Sequence, residues 1–383
     1  MIQAAQIRPV HTTPIEAKIP VIKVIGLGGG GCNAVNRMIE LGISGVEFIA
    51  ANTDSQALRS SLAPKRIQLG PFRTRGLGSG GDPSVGKASA EESTKALGEA
   101  LNGADLVFLT AGMGGGTGTG AIAVAAKVAR SLGAVTVSIV TTPFSFERGR
   151  RQNNATEGIN ELRSVSDTLI TVPNDRLLQI APRDLPIDLA FRLADDVLRQ
   201  GVQGISELIT QPGLINVDFS HVRQMMQTGG GSFLTIGIGE GEGKARKAIE
   251  RALHHPLIES VPIENATGII ANFTGGRDLT FLEVTEALQN LQEKTNNQAN
   301  IIPGVMNNDL MEGRVEVIMV ITGLASIPME QPRREVQVQK TEKVVEAPRP
   351  AAQAAVPRDV PVLEFVATPQ DLDIPAFLRR RIR

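Results

Sequence analysis

Residues 111 to 120 read Ala-Gly-Met-Gly-Gly-Gly-Thr-Gly-Thr-Gly, a stretch with almost no side chains to pack, so its flanks decide what it becomes. Before it stands an apolar run, Leu106 to Thr110, with the composition of a buried strand. After it, Ala121 to Ala129 is rich in Ala and Val and reads as a helix. A strand, a glycine turn and a helix start make an anion site. The turn offers closely spaced backbone N–H groups, and the helix adds the positive end of its dipole. Glycine is wanted where a phosphate must lie against the backbone or where φ is positive. Thr117 and Thr119 can add hydroxyl donors. A flexible linker is the alternative reading, and it does not account for a position flush between strand and helix.

Gly114-Gly115-Gly116-Thr117-Gly118-Thr119-Gly120 resembles the signature loop of the tubulin/FtsZ GTPase family. The likeness extends over roughly residues 21–325 and 368–383 as several motifs in the family's order. It implies an α/β protein: a Rossmann-like GTP-binding domain joined by a long central helix to a smaller α/β domain, then a disordered linker and a C-terminal peptide. On this chain the expected divisions are a flexible tail at 1–20, the GTP-binding domain at 21–183 and the central helix with catalytic loop at 184–221. The C-terminal α/β domain follows at 222–325, the linker at 326–367 and the partner-binding peptide at 368–383. The resemblance also implies GTP and GDP as ligands, Mg2+ arriving with the nucleotide, and head-to-tail filaments at a mid-cell division ring in the cytoplasm.

Composition agrees with the cytoplasmic expectation. Lys and Arg number 39 against 40 Asp and Glu, so no global charge points to nucleic acid. A lone Cys32 excludes an internal disulfide framework, and no apolar run reaches membrane-spanning length. With Trp and Tyr absent, base stacking falls to Phe, His or Arg.

Taken in order, Val21 to Ile25 is a first strand, leading into Gly26-Leu27-Gly28-Gly29-Gly30-Gly31-Cys32-Asn33 and a helix at Ala34 to Leu41. Gly26, Gly28 and Gly31 satisfy G-x-G-x-x-G, and Asp54 follows a second strand, Val46 to Ala51, so a dinucleotide-binding oxidoreductase is a competing reading. The second glycine loop at 112–120 favours the GTPase, because a dinucleotide fold does not need it. Gly81 to Lys87 imitates a P-loop, but Ala88 replaces its magnesium-binding hydroxyl and no strand leads in. The family resemblance gives Gly78 to Asp82 another use, lying over the terminal phosphate. Ala134 to Thr141 is a further strand, and Leu169 to Val172 another, ending at Pro173-Asn174-Asp175.

By match to the family, the nucleotide would be lined by Gly29, Gly30, Asn33, Gly80, Gly81, Gly112, Gly114, Gly115, Gly116, Thr117, Gly118 and Thr141. Glu147 and Arg151 would lie along ribose and phosphates, while Arg148 and Arg150 read as a solvated face. Asn174 would contact guanine. From Asp184 to Thr210 runs the longest helical pattern, with Leu189, Leu193, Val197, Val202, Ile205, Leu208 and Ile209 at helical spacing. Phe191 and Asp195, at i and i+4, share a face. Phe191 has the ring to stack on a base, and Asp195 the acceptors for the N1–H and amine that mark guanine; a core Phe and a solvated Asp are the plainer alternatives.

Gln211 to His221 resembles the family's catalytic loop, which enters the pocket of the next subunit. Asn216, Asp218 and His221 are its candidate catalytic residues; His221 departs from the family's usual Asp. An imidazole can take a proton from water but cannot reproduce a carboxylate's charge, so hydrolysis is expected to be retained but weakened, and one water-orienting group is worth about 10²–10⁴ in rate. A static scaffold filament is the rival reading. Asp218 or Ser220 serving only as a helix cap is the structural alternative. No residue is assigned as a metal ligand, and His254-His255 reads as a helix end. Strands are expected at Phe233 to Gly239, Thr267 to Phe273 and Val315 to Thr322, with helices at Lys244 to His254 and Thr280 to Glu293. The Pro- and Ala-rich stretch 326–367 cannot order itself. Ile374, Phe377 and Leu378 then form a small apolar face at helical spacing, the kind that docks in a groove. By resemblance, 371–383 would engage a membrane tether such as FtsA and other division proteins, the membrane being reached only indirectly.

Overall fold

The computed structural model describes residues 19–147, 149–176, 186–210, 214, 218–227, 231–254 and 263–324. All of them belong to one contact unit, Met1–Gln331; the second unit, Pro332–Arg383, lies outside the described residues, as do the expected linker and C-terminal peptide. The amino half runs β1 (Ile22–Leu27), α1 (Gly28–Glu40), β2 (Glu47–Asn52), α2 (Ser55–Arg59), β3 (Lys65–Gln68), α3 (Pro71–Thr74), α4 (Pro83–Glu92), α5 (Thr94–Leu101), β4 (Leu106–Gly112), α6 (Thr117–Ser131), β5 (Val135–Thr142), α7 (Arg150–Arg163) and β6 (Thr168–Pro173). Then come α8 (Ile187–Thr210), α9 (Phe219–Gln227), β7 (Gly231–Glu240), α10 (Lys244–Leu253), β8 (Gly268–Gly275), α11 (Phe281–Lys294), β9 (Asn300–Asn307) and β10 (Arg314–Leu324).

The ten strands form one sheet in the order β3-β2-β1-β4-β5-β6-β7-β10-β8-β9. The first six are parallel, and the chain reverses direction of travel between β1 and β4, where Gly26 pairs with Thr110. In open parallel sheets that reversal opens a crevice at the carboxyl ends of the strands, and ligands bind there. Among the described residues β7 joins β6 through two pairs, Leu169 with Gly231 and Ile170 with Ser232. Beyond it, β10 runs antiparallel between β7 and β8, and β9 closes the row parallel to β8. The strand system of the carboxyl half thus continues the parallel sheet.

Alternation along the strands divides the core. On one face, Ile22, Val24, Phe108, Val137 and Ile170 pack with α1, α8 and α9. On the other, Ile25, Leu27, Leu109 and Ala111 pack with α5, α6 and α7. A third cluster lies between β8, β10, α10 and α11. The first cluster also takes in Leu234, Ile270, Ile318 and Val320, so α8 is buried against both strand systems. Its 24 residues span about 36 Å at the usual helical rise. Two glycines let it lie close: a Cβ on Gly201 would stand 2.9 Å from Leu234, and one on Gly204 2.7 Å from Ile318. Of the apolar residues read along this helix, Leu189 is exposed rather than packed.

Candidate nucleotide-binding site

The glycine run forms the turn between β4 and α6, and α6 starts at Thr117, four residues before the expected Ala121. Likewise α1 begins at Gly28 rather than Ala34, so the first glycine run is itself the opening turn of a helix. Neither helix has a side-chain cap or an acidic residue in its first turn. This contrasts with α2, α4 and α11, which are capped by Asp54, Asp82 and Thr280. The first amides of a helix lack internal partners, and leaving two helix starts uncapped side by side suits an anion. Asp54, the acid that a dinucleotide reading wants on a ribose, is instead committed to the Gln56 and Ala57 amides.

The two turns rest on each other through bare backbone. A Cβ on Gly28 would lie 2.6 Å from the Gly118 nitrogen, and one on Gly30 3.2 Å from that of Gly112. Gly29 and Gly115 by contrast face open space, with no atom of the described residues within 4 Å of a notional Cβ, as do Gly80 and Gly81 in the loop before α4. That loop lies across Gly116, where a Cβ would meet Ser79 Oγ at 2.2 Å and the Asp82 nitrogen at 2.7 Å. The result is a cradle with room kept at four glycines. Thr141 is buried, its carbonyl accepting from the Met113 amide at 2.9 Å and tying the turn to the end of β5. Thr119 also faces inward, accepting from the Gly114 N–H at 2.8 Å, so it braces the turn rather than presenting its hydroxyl outward. Asn33 is exposed on α1.

Asn174 sits just past β6, buried, and its Oδ1 has no hydrogen-bond partner among the described residues. Phe191 on α8 is 43% exposed, meets the ring of Phe144 edge-on at 5.4 Å, and Phe144 in turn stacks with Phe146. Burial pushes the Asp195 carboxyl up to about 7, against the pull of Arg37 on α1. Arg37 itself keeps a buried Nε without a hydrogen-bond partner among the described residues. An unpaired acceptor, a half-free ring and a poorly solvated carboxyl are features that a base with its own donors would satisfy.

Glu147 and Arg151 pair with each other, and Glu147 also accepts from the Phe144 amide at 3.1 Å. Arg150 reaches Asp82 at 3.4 Å, and Lys87, the lysine of the P-loop look-alike, is turned to Glu161 at 2.7 Å. Arg148 lies outside the described residues. Pattern reading does not find Asn154, whose amide reaches the Gly114 carbonyl at 3.3 Å and that of Gly81 at 3.4 Å, joining two sides of the cradle. It sits one turn after Arg150 on α7, a helix whose polar composition hides its role.

Asp218 and His221 lie elsewhere. Asp218 accepts from the Ser220 amide at 2.9 Å and caps α9, and that bond holds its carboxyl below the usual range, helped by His221. Both are exposed. α9 is fastened to the amino ends of the parallel strands: Thr168, the first residue of β6, donates to the Met226 carbonyl at 2.8 Å, and Arg223 approaches Asp105, just before β4, at 4.0 Å. The glycine cradle lies at the carboxyl ends of the same strands, about 20 Å away at the usual strand rise. Asn216 lies outside the described residues.

A parallel sheet in the order 3-2-1-4-5-6, with two uncapped glycine-built helix starts at its switch point, defines a nucleotide-binding α/β protein. The chain matches the Tubulin/FtsZ family GTPase domain over residues 21–182 and the FtsZ family C-terminal domain over residues 230–325. Among solved structures it is similar to an empty FtsZ dimer from M. jannaschii, at 41% identity and a TM-score of 0.77, covering 81% of this chain and 90% of that one. A mutant FtsZ from M. jannaschii gives 42% and 0.76, covering 80% and 91%. A GTPγS-bound protofilament of CetZ2 from Haloferax volcanii shares the fold at 21% identity and a TM-score of 0.67, covering 79% and 93%. The chain belongs to the tubulin/FtsZ family, whose members are filament-forming GTPases.

Proposed function

We propose that this chain is a subunit of a head-to-tail filament that hydrolyses GTP between subunits and forms the cytokinetic ring of a dividing bacterium. The observation that carries this reading is the separation of the cradle from Asp218 and His221, at opposite ends of β4 and β6. Neither residue reaches its own chain's cradle, but a second copy stacked in the same orientation would bring its α9 end to it. Such a contact joins unlike faces and propagates without closing. The M. jannaschii FtsZ structure is described as a dimer, which supports self-association.

In this reading the turns at 28–31 and 112–118 hold the phosphates, with Gly80 and Gly81 above them. Asn174, Phe191 and Asp195 take guanine, Thr141, Glu147 and Arg151 border the ribose and phosphates, and Asn33 stands at the rim of the first turn. Among the described residues no group of three or more His, Cys, Asp or Glu side chains is placed to hold a metal ion. Mg2+ would arrive with the nucleotide, its hydration waters and the phosphates as its main ligands. The protein supplies position and charge to a phosphoryl transfer that involves little covalent chemistry of its own. Asp218 is held ionised at the start of α9 and would orient the attacking water. His221, one turn on, supplies an imidazole in place of a second carboxylate, and we infer slowed turnover from it.

No described helix is long and apolar enough to cross a membrane. Contact with one would run through residues 371–383 and a tether such as FtsA. The deciding experiment measures phosphate release beside sedimentation with GTP, for the wild type and His221→Asp. Assembly by both, with turnover at least tenfold faster in His221→Asp, supports slowed hydrolysis. Equal turnover overturns it, and no GTP-dependent sedimentation overturns the filament. Because His221 stands where a carboxylate is usual, a second reading is kept: a scaffold or regulatory filament with little turnover, which near-zero phosphate release from assembled wild type would favour.

A further inference from the structure

Three hydroxyls form a chain under the phosphate turn. Thr53 Oγ1 lies 2.6 Å from Thr117 Oγ1, and Thr117 Oγ1 lies 3.0 Å from Ser79 Oγ. Thr53 and Thr117 are buried, and Ser79 is half-buried in the loop that crosses Gly116. The far end of the chain is anchored, since the Thr53 carbonyl accepts from Thr74 Oγ1 at 3.3 Å and from the Gly78 amide at 3.3 Å. Thr117 is the first residue of α6, at the uncapped start that faces the cradle.

A hydroxyl has one proton to donate and two lone pairs to accept with. If Thr117 gives its proton to an anion in the cradle, it can keep both neighbours only by accepting from both. Thr53 and Ser79 must then each donate to it. An anion therefore sets the direction of the whole chain, and bonds aligned head to tail strengthen one another. Without the anion the same three groups can arrange their protons in several ways.

We propose that Ser79 is a positioning residue that clasps the loop Gly78–Asp82 onto the phosphate turn through Thr117, and that a nucleotide phosphate accepting from Thr117 tightens the clasp. This rests on the nucleotide reading of the cradle given above. It adds a way for the phosphate turn to hold the loop above it without the loop touching the phosphate through a side chain.

The test uses the full chain with GDP as probe, with affinity measured by calorimetry for wild type, Ser79→Ala, Thr117→Val and the double variant. A whole hydrogen bond is worth about fivefold in affinity, and only the strengthening of this one on binding counts, so Ser79→Ala is expected to bind GDP about two- to fivefold more weakly. The same substitution made in Thr117→Val is expected to change nothing further. Independent, multiplying losses overturn the proposal, as does wild-type affinity in Ser79→Ala. Where Thr117→Val fails to fold, hydrogen exchange decides: amides 78–82 gain protection on GDP binding in wild type and fail to gain it in Ser79→Ala. Equal gains overturn the clasp. If wild type itself does not bind GDP, the nucleotide reading fails first, and the two failures are told apart.

Discussion

At the scale of single residues, Asp195 is where the proposed contact with guanine is most open to test. Its carboxyl is pushed up to about 7 by burial, from an unfolded value near 4. A raised folded value means the native state holds a proton that the unfolded state gives up. The contribution to stability is therefore full below about pH 4 and is lost as pH rises through 7. Guanine offers donors and favours the ionised form, so on the proposed reading binding releases a proton between about pH 4 and 7. Affinity for GDP should then rise with pH up to about 7, and calorimetry in buffers of differing ionisation heat would count the proton. Asp195→Asn should flatten that profile and cost about 10- to 100-fold in affinity, the worth of a hydrogen bond to a charged group. An unaltered profile would assign the pH dependence elsewhere. The residues of this site divide by how visible they are in sequence. Gly114 to Gly118 are legible because glycine clusters between a strand and a helix have few other uses. Asn154 and Ser79 are not, because an Asn on a polar helix and a Ser in a loop are commonplace until the fold brings Gly81, Gly114 and Thr117 beside them.

Among the elements, β7 and α10 show how backbone contact fixes a glycine. A Cβ on Gly239 would stand 1.8 Å from the Lys244 carbonyl oxygen, and one on Gly237 2.0 Å from that of Ala248. Both obstacles are main chain and cannot swing away. Gly239→Ala should cost about 2–3 kcal/mol, the upper part of the range for overpacking, read as a lower urea midpoint at unchanged slope. A variant as stable as wild type would mean that α10 shifts freely on the sheet. Strands β1, β4, β5 and β10 are legible in the sequence as apolar runs rich in β-branched residues, because each is buried between layers. β3 is not, since only Ile67 of its four residues is buried and the others are charged or polar. β9 is hidden by Pro303 and Gly304 in its middle, which argue against a strand unless it lies at the end of the row. α7 shows Ala155, Gly158, Ile159 and Leu162 at helical spacing, but a long polar face drowns the pattern. Among the described residues two pairs join β6 to β7, and no local signal in the sequence encodes that junction.

For the whole molecule, the governing fact is that the cradle and α9 occupy opposite ends of the same strands. If the reactive centre forms only between copies, two defective chains should repair each other. Asp218→Ala keeps a working cradle, and Asp195→Ala keeps a working α9. Mixed one to one, they should release phosphate faster than either alone, at a rate that rises with total protein concentration. Activity no greater than the sum of the parts would mean that each chain works by itself. Building polymers from unlike faces also imposes a demand on every other surface. A sheet ends in a row of unpaired amides and carbonyls, which can recruit any passing strand. Here one end is the short, charged β3, and at the other the ladder of β9 is interrupted at Pro303, which has no amide proton to give. Both ends of the sheet thus deny growth in the sideways direction, which would end in amyloid-like precipitate rather than a reversible filament.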